Sequence, residues 1–580
     1  MYLHKLRIQG FRRFNNLTLH FKEGLNVIVG PNNAGKTAVV DALRVLLAAS
    51  DEGSLRLTEL DLHQKPNGTH STTATFTFVF SGLSEDNEAD FMTALVPVKN
   101  ASGTIVSYDA QFTVQYSQTE PGDRLRLRRW VGLHEENVMT TEMLEELRAI
   151  YLQPLRDPAK GLKPGRMSQV AKLIQNMMPD NAQREDLVQS LKAIDNELKG
   201  KPPISSTSTA IATKHESMLG AELAQSLQLD LASSDFNRFT TRIGMAVGGM
   251  EVEQNGLGFN NLIYMAVVLS ELSLNKAAAY CGLLVEEPEA HLHPQLQAVL
   301  LDYLKTVEKP TEGERAVQVF VTSHSPNFAA LADLDSLCCI YEGLDGPVAF
   351  APRDIAFDKG KKEKLQRYLN VTRAELFFAR RLILVEGTAE LFLVEALATK
   401  AGHDLRKLSV SVISTDGLNF DAFLPLFGKG AMQIPVAVVS DADPPKNFFP
   451  DKNTSLKLST SAQVLQKHED EFVKCFFAQK TLEYDLALDA DRRELMIDAL
   501  KDMHPVIGKD LETAVIEAQT DQEKATILYC GMFDRQGDLE NVKKGHYSQV
   551  LAYGIASSKN PIAIPSYLES ALEFVRAINA

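Results

Sequence analysis

The chain of 580 residues is too long for a single hydrophobic core, so two or three domains are expected. Its 44% hydrophobic and 23% charged content is ordinary for a globular protein. A net charge of -15 excludes a general polycation that coats DNA, yet leaves room for a local basic path.

In chain order, residues 2–8 and 25–29 suit strands, 31–35 a loop and 37–49 a helix. Segments 73–80 and 111–130 alternate in the strand manner, predicting an antiparallel patch. Within it Arg124, Arg126 and Arg128 share one strand face, which suits either a solvated surface or a DNA-facing strip. Residues 167–200 and 208–225 have helical periodicity, and the Lys-Pro-Pro-Ile-Ser-Ser-Thr-Ser-Thr stretch between them is expected to break regular structure. This predicts a helical hairpin whose apolar face needs a partner, a candidate dimerisation element.

Residues 317–322 suit a short buried strand. From 382 onward strands and helices alternate (382–385, 389–400, 409–413, 435–439), predicting a second α/β domain. The expected division is a lobe over 1–165, the helical insert over 166–225, a second lobe over 226–375, and the last domain over 376–580. Cysteines Cys281, Cys338, Cys339, Cys475 and Cys530 form no Cys-x-x-Cys pair and no zinc spacing, so they are expected as buried thiols in a reducing cytoplasm. The polar–apolar start of the chain suits a strand and not a signal peptide, and no apolar run approaches the ~18 residues of a membrane span.

Gly30-Pro-Asn-Asn-Ala-Gly-Lys-Thr37 matches the phosphate-loop pattern between a strand and a helix. Backbone N–H groups of Asn32, Asn33, Ala34 and Gly35 would curl around ATP phosphates. Lys36 would neutralise the β and γ oxygens, and Thr37 would ligate Mg²⁺. The apolar strand 283–285 delivers Glu286, a candidate magnesium ligand, and Glu287, a candidate polariser of the attacking water. Glu286 stands where Asp is usual and is one methylene longer, which leaves slow turnover open. His324, after a buried strand, is a candidate γ-phosphate sensor, and Gln153 a candidate link to magnesium. Asn255-Gly-Leu-Gly-Phe-Asn-Asn261 is a glycine turn opening a helix, whose amides would face a nucleotide held by another subunit.

Together these residues resemble the ABC-type ATPases of the SMC, Rad50 and RecF group. The resemblance implies two heads sandwiching two ATP molecules, with the segment 255–261 in place of the usual Leu-Ser-Gly-Gly-Gln signature. The 289–294 segment, Glu-Ala-His-Leu-His-Pro, resembles the loop after the acidic strand in such heads, and the 167–225 insert is far too short for an SMC arm.

A second acidic series follows. Glu386 and Glu390 are four apart across a strand-to-helix turn, and Asp441 and Asp443 alternate at the end of another apolar strand. Carboxylates gathered on neighbouring strand ends suit Mg²⁺ or Mn²⁺, and two such ions about 4 Å apart suit phosphodiester cleavage. Glu483 and Lys544 are candidates to complete the site, the lysine as a charge partner for the scissile phosphate.

This series resembles the Toprim domain, with Glu386-Gly387 as the first motif, 411–420 including Asp416-Gly417 in the middle, and Asp441-x-Asp443 as the second. An ABC ATPase followed by a Toprim domain resembles the OLD (overcoming lysogenization defect) family across essentially the whole chain. The fold class implied is α/β: an ATPase head with an inserted dimerisation arm, then a Toprim domain. The compact Toprim half is similar to the class 2 branch, which includes the nuclease subunit of Gabija-type anti-phage defence, partnered by a UvrD-like helicase. The resemblance implies a homo-oligomeric DNA endonuclease or nickase, using ATP with one magnesium and two further Mg²⁺ or Mn²⁺ ions at the Toprim site. Catalytic roles would fall to Glu287, His324, Glu386, Asp441 and Lys544, with Glu390, Asp443 and Glu483 as further metal ligands. A different class stays open, an ATP-driven DNA clamp or repair scaffold whose Toprim domain binds without cutting.

Overall fold

The computed structural model describes residues 1–48, 55–65, 67–120, 122–154, 157–165, 167–178, 180–220, 222–227, 229, 235–290, 292–535 and 541–577. His291 of the 289–294 segment therefore lies outside the described residues, as does Ala49 at the end of the first expected helix. Two compact units emerge, one from Met1–Leu46, Ser54–Met139 and Phe320–Ala580, the other from Leu47–Gly53 and Thr140–Val319.

The first unit opens with an antiparallel sheet. Strands Phe14–His20, Tyr2–Phe11, Thr73–Ser81, Ile105–Ser117 and Leu95–Lys99 pair in that order, and Arg126–Val131 also pairs with Ile105–Ser117. Period-two alternation explains its core face. In Thr73–Ser81 the side chains of Ala74, Phe76, Phe78 and Phe80 are wholly buried, while the threonines between them are not. Arg124 precedes its expected strand; Arg126 and Arg128 are exposed on it, and Arg128 pairs with Glu135 at 2.9 Å.

Leu25–Val29 has no alternation because every residue is buried, as a parallel strand covered on both faces requires. It lies parallel to Leu337–Gly343, with Val29 opposite Cys339, and Gly346–Phe350 folds back antiparallel on the latter. The Ser323 N–H donates to Ile28 O at 3.1 Å, which brings the turn before His324 beside the end of the same strand.

Four parallel strands form the C-terminal sheet, in the order Val410–Ser414, Arg381–Val385, Val436–Asp441 and Val473–Ala478. Arg381–Val385 comes first in the chain yet sits second in the sheet. The connections from its end and to Val436–Asp441 therefore diverge, which is where α/β sheets open a crevice at their carboxyl edge. Thr388–Lys400 covers one face and packs on Lys544–Ser557. From 482 the chain is helical: Leu482–Ala487, Ala490–Met503, Pro505–Glu517, Asp521–Phe533, Lys544–Ser557 and Ser566–Ala577. These share one apolar core with the sheet, in which Leu393, Val439, Leu500, Tyr547 and Leu572 are buried, each such side chain contributing about 1.5–3 kcal/mol. Lys364 joins this region through Asp421 at 3.0 Å, and Arg373 through Ser414 O at 2.9 Å.

In the second unit, Leu147–Leu152 and Tyr280–Glu286 pair in parallel, Val285 opposite Leu152. Glu271 is fully buried on Leu257–Ser273 and is held by Arg148 at 2.6 Å and Asn176 at 3.1 Å, the compensation a buried carboxylate needs. Helices Gln169–Met177, Asn181–Lys199 and Pro202–Leu219 follow one another. The break expected over 201–209 is confined to Gly200 and Lys201, and the chain is helical again from Pro202. Pro202 and Pro203 occupy the first helical turn, where a missing N–H is harmless, and the hydroxyls of Thr207, Thr209 and Thr213 bond to carbonyls four residues back. Asn181–Lys199 and Pro202–Leu219 bury no residue within their unit and expose Ile194, Ile211 and Met218.

All five cysteines are free thiols. Cys281, Cys338 and Cys339 are buried as expected, whereas Cys475 and Cys530 are only half-buried. Among the described residues no helix is long and apolar enough to cross a membrane.

Candidate functional site

The phosphate-loop sequence lies between the buried strand Leu25–Val29 and the helix Lys36–Leu47. Gly30 and Gly35 both have positive φ, 151° and 104°. A Cβ on Gly30 would lie 2.1 Å from Ile340 O, and one on Gly35 would lie 2.5 Å from the Phe14 ring, so only glycine fits either place. Asn33 adopts φ 65°. Asn32, Asn33 and Thr37 are exposed and Ala34 is buried. Lys36 is 3% exposed and donates to Gly30 O at 2.6 Å and Pro31 O at 3.0 Å, so its ammonium sits inside the curl of its own loop. Behind the helix, Asp41 accepts from Arg12 and Arg44, each at 2.7 Å, and Arg12 also holds Asp61 at 2.9 Å. Nothing in the motif announces that brace. His324 is exposed and precedes Pro326–Leu331 in this same unit.

The second unit carries Gln153, exposed just after Leu147–Leu152, together with Glu286 and Glu287. Glu286 closes the strand Tyr280–Glu286, is 4% exposed, and accepts from the Tyr151 hydroxyl at 2.7 Å. Glu287 takes φ 46°, a conformation costing a non-glycine residue about 1–3 kcal/mol and tolerated mainly where the fold over-determines it. Gly256 caps Leu257–Ser273, and Asn260 is buried with its amide on Val252 O at 2.7 Å.

The second acidic series converges on the carboxyl edge of the C-terminal sheet. Glu386 follows Val385, whose neighbour in register is Val439, two positions before Asp441. Gly417 N–H donates to Glu386 O at 2.8 Å, which ties the Asp416-Gly417 turn to the same strand end. Glu390 reaches back to the Gly387 N–H at 2.9 Å and so caps its own helix. Asp441 accepts from the Leu482 N–H at 3.0 Å. Glu483 is buried on Leu482–Ala487, and its Oε2 accepts from the Thr481 hydroxyl and the Lys544 ammonium, both at 2.9 Å. Each of Glu390, Asp441 and Glu483 thus has one oxygen fixed by the protein frame. The other oxygen of Glu483, Oε1, is buried with no hydrogen-bond partner. Asp443 is exposed, with φ 45°.

Electrostatics register the crowding. Burial, then Glu390 and Asp443, push the Glu386 carboxyl up to about 7, with Lys544 opposing. Asp441 is raised well above the usual range by burial and then by Glu483, and burial raises Glu390 too. Lys544 leaves 43% of its side chain exposed, yet its ammonium end is enclosed by Glu483 and Asp441, and their charges outweigh burial to hold it cationic. Among the described residues no three His, Cys, Asp or Glu side chains converge closely enough to enclose a metal ion. The donor set still fits one by chemistry: the oxygens are hard and like-charged, burial and then neighbouring carboxylates raise Glu386 and Asp441, and Glu483 presents an orphaned buried oxygen.

Residues 1–120 and 151–329 match the AAA ATPase domain family, just over half of the chain. The chain belongs to the AAA ATPase domain family. Residues 377–443 match the overcoming lysogenization defect protein-like TOPRIM domain, so Glu386, Glu390, Asp441 and Asp443 all fall within an OLD-like TOPRIM domain. Among relatives, an OLD nuclease of Thermus scotoductus is 23% identical over 514 residues, spanning 84% of this chain and 91% of that protein. The uncharacterized protein YbjD of Escherichia coli is 22% identical, spanning 71% of this chain and 75% of that protein. A solved C-terminal region of the OLD protein of Xanthomonas campestris pv. campestris is 26% identical, with a TM-score of 0.26, over 35% of this chain and 95% of that one.

Thr481, Lys480, Asp485 and Tyr529 stand around the acidic series without any motif of their own. Only Thr481 left a local signal, a threonine at a helix N-cap three residues before Tyr484, whose N–H it accepts at 3.3 Å.

Proposed function

We propose that this chain is a nucleotide-regulated, divalent-metal-dependent DNA endonuclease. The observation that carries the proposal is the cluster of Glu386, Glu390, Asp441 and Glu483 with Lys544 at the carboxyl edge of the C-terminal sheet, where burial and then neighbouring carboxylates raise the pKa of Glu386 and Asp441. Structural ion networks also shift pKa values, but they pair charges of opposite sign; here four acids surround one ammonium. The relation to an OLD nuclease of Thermus scotoductus supports the same reading.

Glu386, Glu390, Asp441, Asp443 and Glu483 would hold Mg²⁺ or Mn²⁺. Such ions, when bound, offset the charge on a phosphodiester and lower the pKa of water. The chain's own residues do the rest. Thr481 and Lys544 orient Glu483, the Gly387 and Leu482 amides orient Glu390 and Asp441, and the Lys544 ammonium brings a permanent positive charge to the phosphate. At the phosphate loop, Lys36 and Thr37 would take the phosphates of ATP and their magnesium, with Asn32, Asn33, Ala34 and Gly35 supplying amides. The roles of Glu286, Glu287, Gln153 and His324 in water positioning, magnesium binding and γ-phosphate sensing rest on the order of motifs. Assembly as a homo-oligomer, a helicase partner and a part in anti-phage defence follow from the class 2 resemblance.

The test is incubation of supercoiled plasmid with Mg²⁺ or Mn²⁺, with and without ATP, comparing wild type with Asp441→Ala. Loss of cleavage in Asp441→Ala with nucleotide binding retained is the expected result. Undiminished cleavage by that variant would remove the metal assignment, and no cleavage by wild type would favour the DNA-clamp reading.

A further inference from the structure

Lys480 lies between the strand Val473–Ala478 and the helix Leu482–Ala487 and is 5% exposed. Both hydrogen bonds of its ammonium go to neutral carbonyls, Lys446 O at 3.0 Å and Phe448 O at 3.1 Å. The ammonium also stands over the Phe449 ring, 4.5 Å from its centre. Burying a lysine costs free energy that neutral acceptors only partly offset, so its retention at this place calls for a geometric reason. Both carbonyls and the Phe449 ring belong to the seven residues after Asp443, while the Tyr529 ring lies farther off, 5.9 Å from the ammonium.

The backbone closes a loop around this contact. The Asp443 N–H donates to Lys480 O at 3.3 Å, and the Tyr484 hydroxyl holds Pro450 O at 2.8 Å. On the other side, the Asp485 carboxylate accepts the Gln479 N–H at 2.9 Å and the Lys480 N–H at 3.4 Å, fixing the turn from which the lysine projects. Asp443 itself has φ 45°, a conformation that a non-glycine residue keeps only where its surroundings impose it. Its side chain is exposed.

We propose that Lys480 is a positioning residue, stapling the 443–450 segment to the strand end so that the Asp443 carboxylate is held for a divalent cation. The inference rests on the metal-site reading given above. Its role differs from that of Lys544, which sits on a carboxylate: Lys480 acts through backbone carbonyls and touches no acidic side chain.

Titration of the full-length chain with Mn²⁺ alone, free ion followed by electron paramagnetic resonance, tests it. The signal of interest is the binding that Asp441→Ala abolishes. Lys480→Met is expected to weaken that binding about tenfold, the usual scale for a residue that orients a ligand. The double variant Lys480→Met, Asp443→Asn should bind no more weakly than Asp443→Asn, because both changes remove the same ligand. If Lys480→Met does not fold, Lys480→Gln, which keeps one neutral donor, carries the same comparison. An unchanged Mn²⁺ titration, or full additivity with Asp443→Asn, overturns the proposal, as does a fall in melting temperature in EDTA with no change in Mn²⁺ affinity. If wild type has no Asp441-dependent Mn²⁺ binding, the metal-site reading fails and takes this inference with it. Failure of the lysine variants alone leaves that reading standing.

Discussion

The Lys544 ammonium meets Glu483 Oε2 at 2.9 Å, joining the first turn of one helix to the first turn of another 61 residues earlier in the chain. Removing the lysine leaves a buried carboxylate with only the Thr481 hydroxyl on that oxygen. Lys544→Ala is expected to slow plasmid cleavage by about 100-fold or more, the scale of losing one preorganised charge partner. Because 43% of the lysine side chain is exposed, solvent screens much of the pair, and the melting temperature should fall by only a few degrees. A rate within twofold of wild type would take Lys544 out of the site.

Glu386 gives the protein a pH dependence whose sign is fixed. Its folded-state pKa of about 7 lies above the ordinary 4.5, so the folded chain holds the proton more tightly than the unfolded one. The resulting stability is complete below the unfolded value and is lost as pH rises through about 7. Glu390 and Asp441 shift in the same direction. In EDTA the melting temperature should therefore fall from pH 5.5 to pH 8. Stabilisation by Mn²⁺ should grow over the same interval, since the cation competes with protons. Glu386→Gln should flatten both slopes; a metal-free melting temperature that climbs through pH 7 would contradict the arrangement.

Gly30 and Lys36 should separate structure from ligand binding. Gly30→Ala places a methyl group 2.1 Å from Ile340 O, a clash with backbone that no rotamer relieves. It should cost several kcal/mol, on the order of an overpacked core site or more, and be read as loss of soluble protein or a large drop in melting temperature. Lys36→Ala should leave the melting temperature near that of wild type and abolish binding of a fluorescent ATP analogue. Asp441→Ala should bind that analogue normally.

Thr481 serves two masters, capping Leu482–Ala487 through the Tyr484 N–H and donating to Glu483. Thr481→Val keeps the shape but loses both bonds. It should cost about 1 kcal/mol of stability for the lost cap and weaken Mn²⁺ binding, whereas Thr481→Ser should restore both. Equal Mn²⁺ binding by the valine and serine variants would confine Thr481 to capping.

What could be read from the chain alone was whatever local pattern determines. Leu25–Val29, Arg381–Val385 and Val436–Asp441 are predominantly apolar runs bounded by turn signals, so the strands, and the acids at the ends of the last two, were visible. The Ser/Thr-rich stretch after Pro202 misled because hydroxyls that compete with a helix in general here bond back along it. Lys480, Asp485 and Arg12 were invisible for another reason. Arg12 and Lys480 act on segments that the fold brings to them, Arg12 across 29 residues to Asp41 and Lys480 across 34 to Lys446, while Asp485 bonds the turn just before its helix, at Gln479 and Lys480. A single lysine or aspartate has no periodicity to announce such a partner.

The parallel pairing of Leu25–Val29 with Leu337–Gly343 has a consequence for how the protein is made. The phosphate-loop strand leaves the ribosome early, but its neighbour Cys339 follows about 300 residues later, roughly 15–60 s at ~5–20 residues per second. Through that interval a mostly apolar strand, interrupted only by Asn26, waits with an unpaired edge while the 140–319 segment is synthesised. A nascent chain truncated before residue 337 should therefore be captured by holdase chaperones and remain protease-sensitive at its N-terminus, and one extended beyond residue 350 should not.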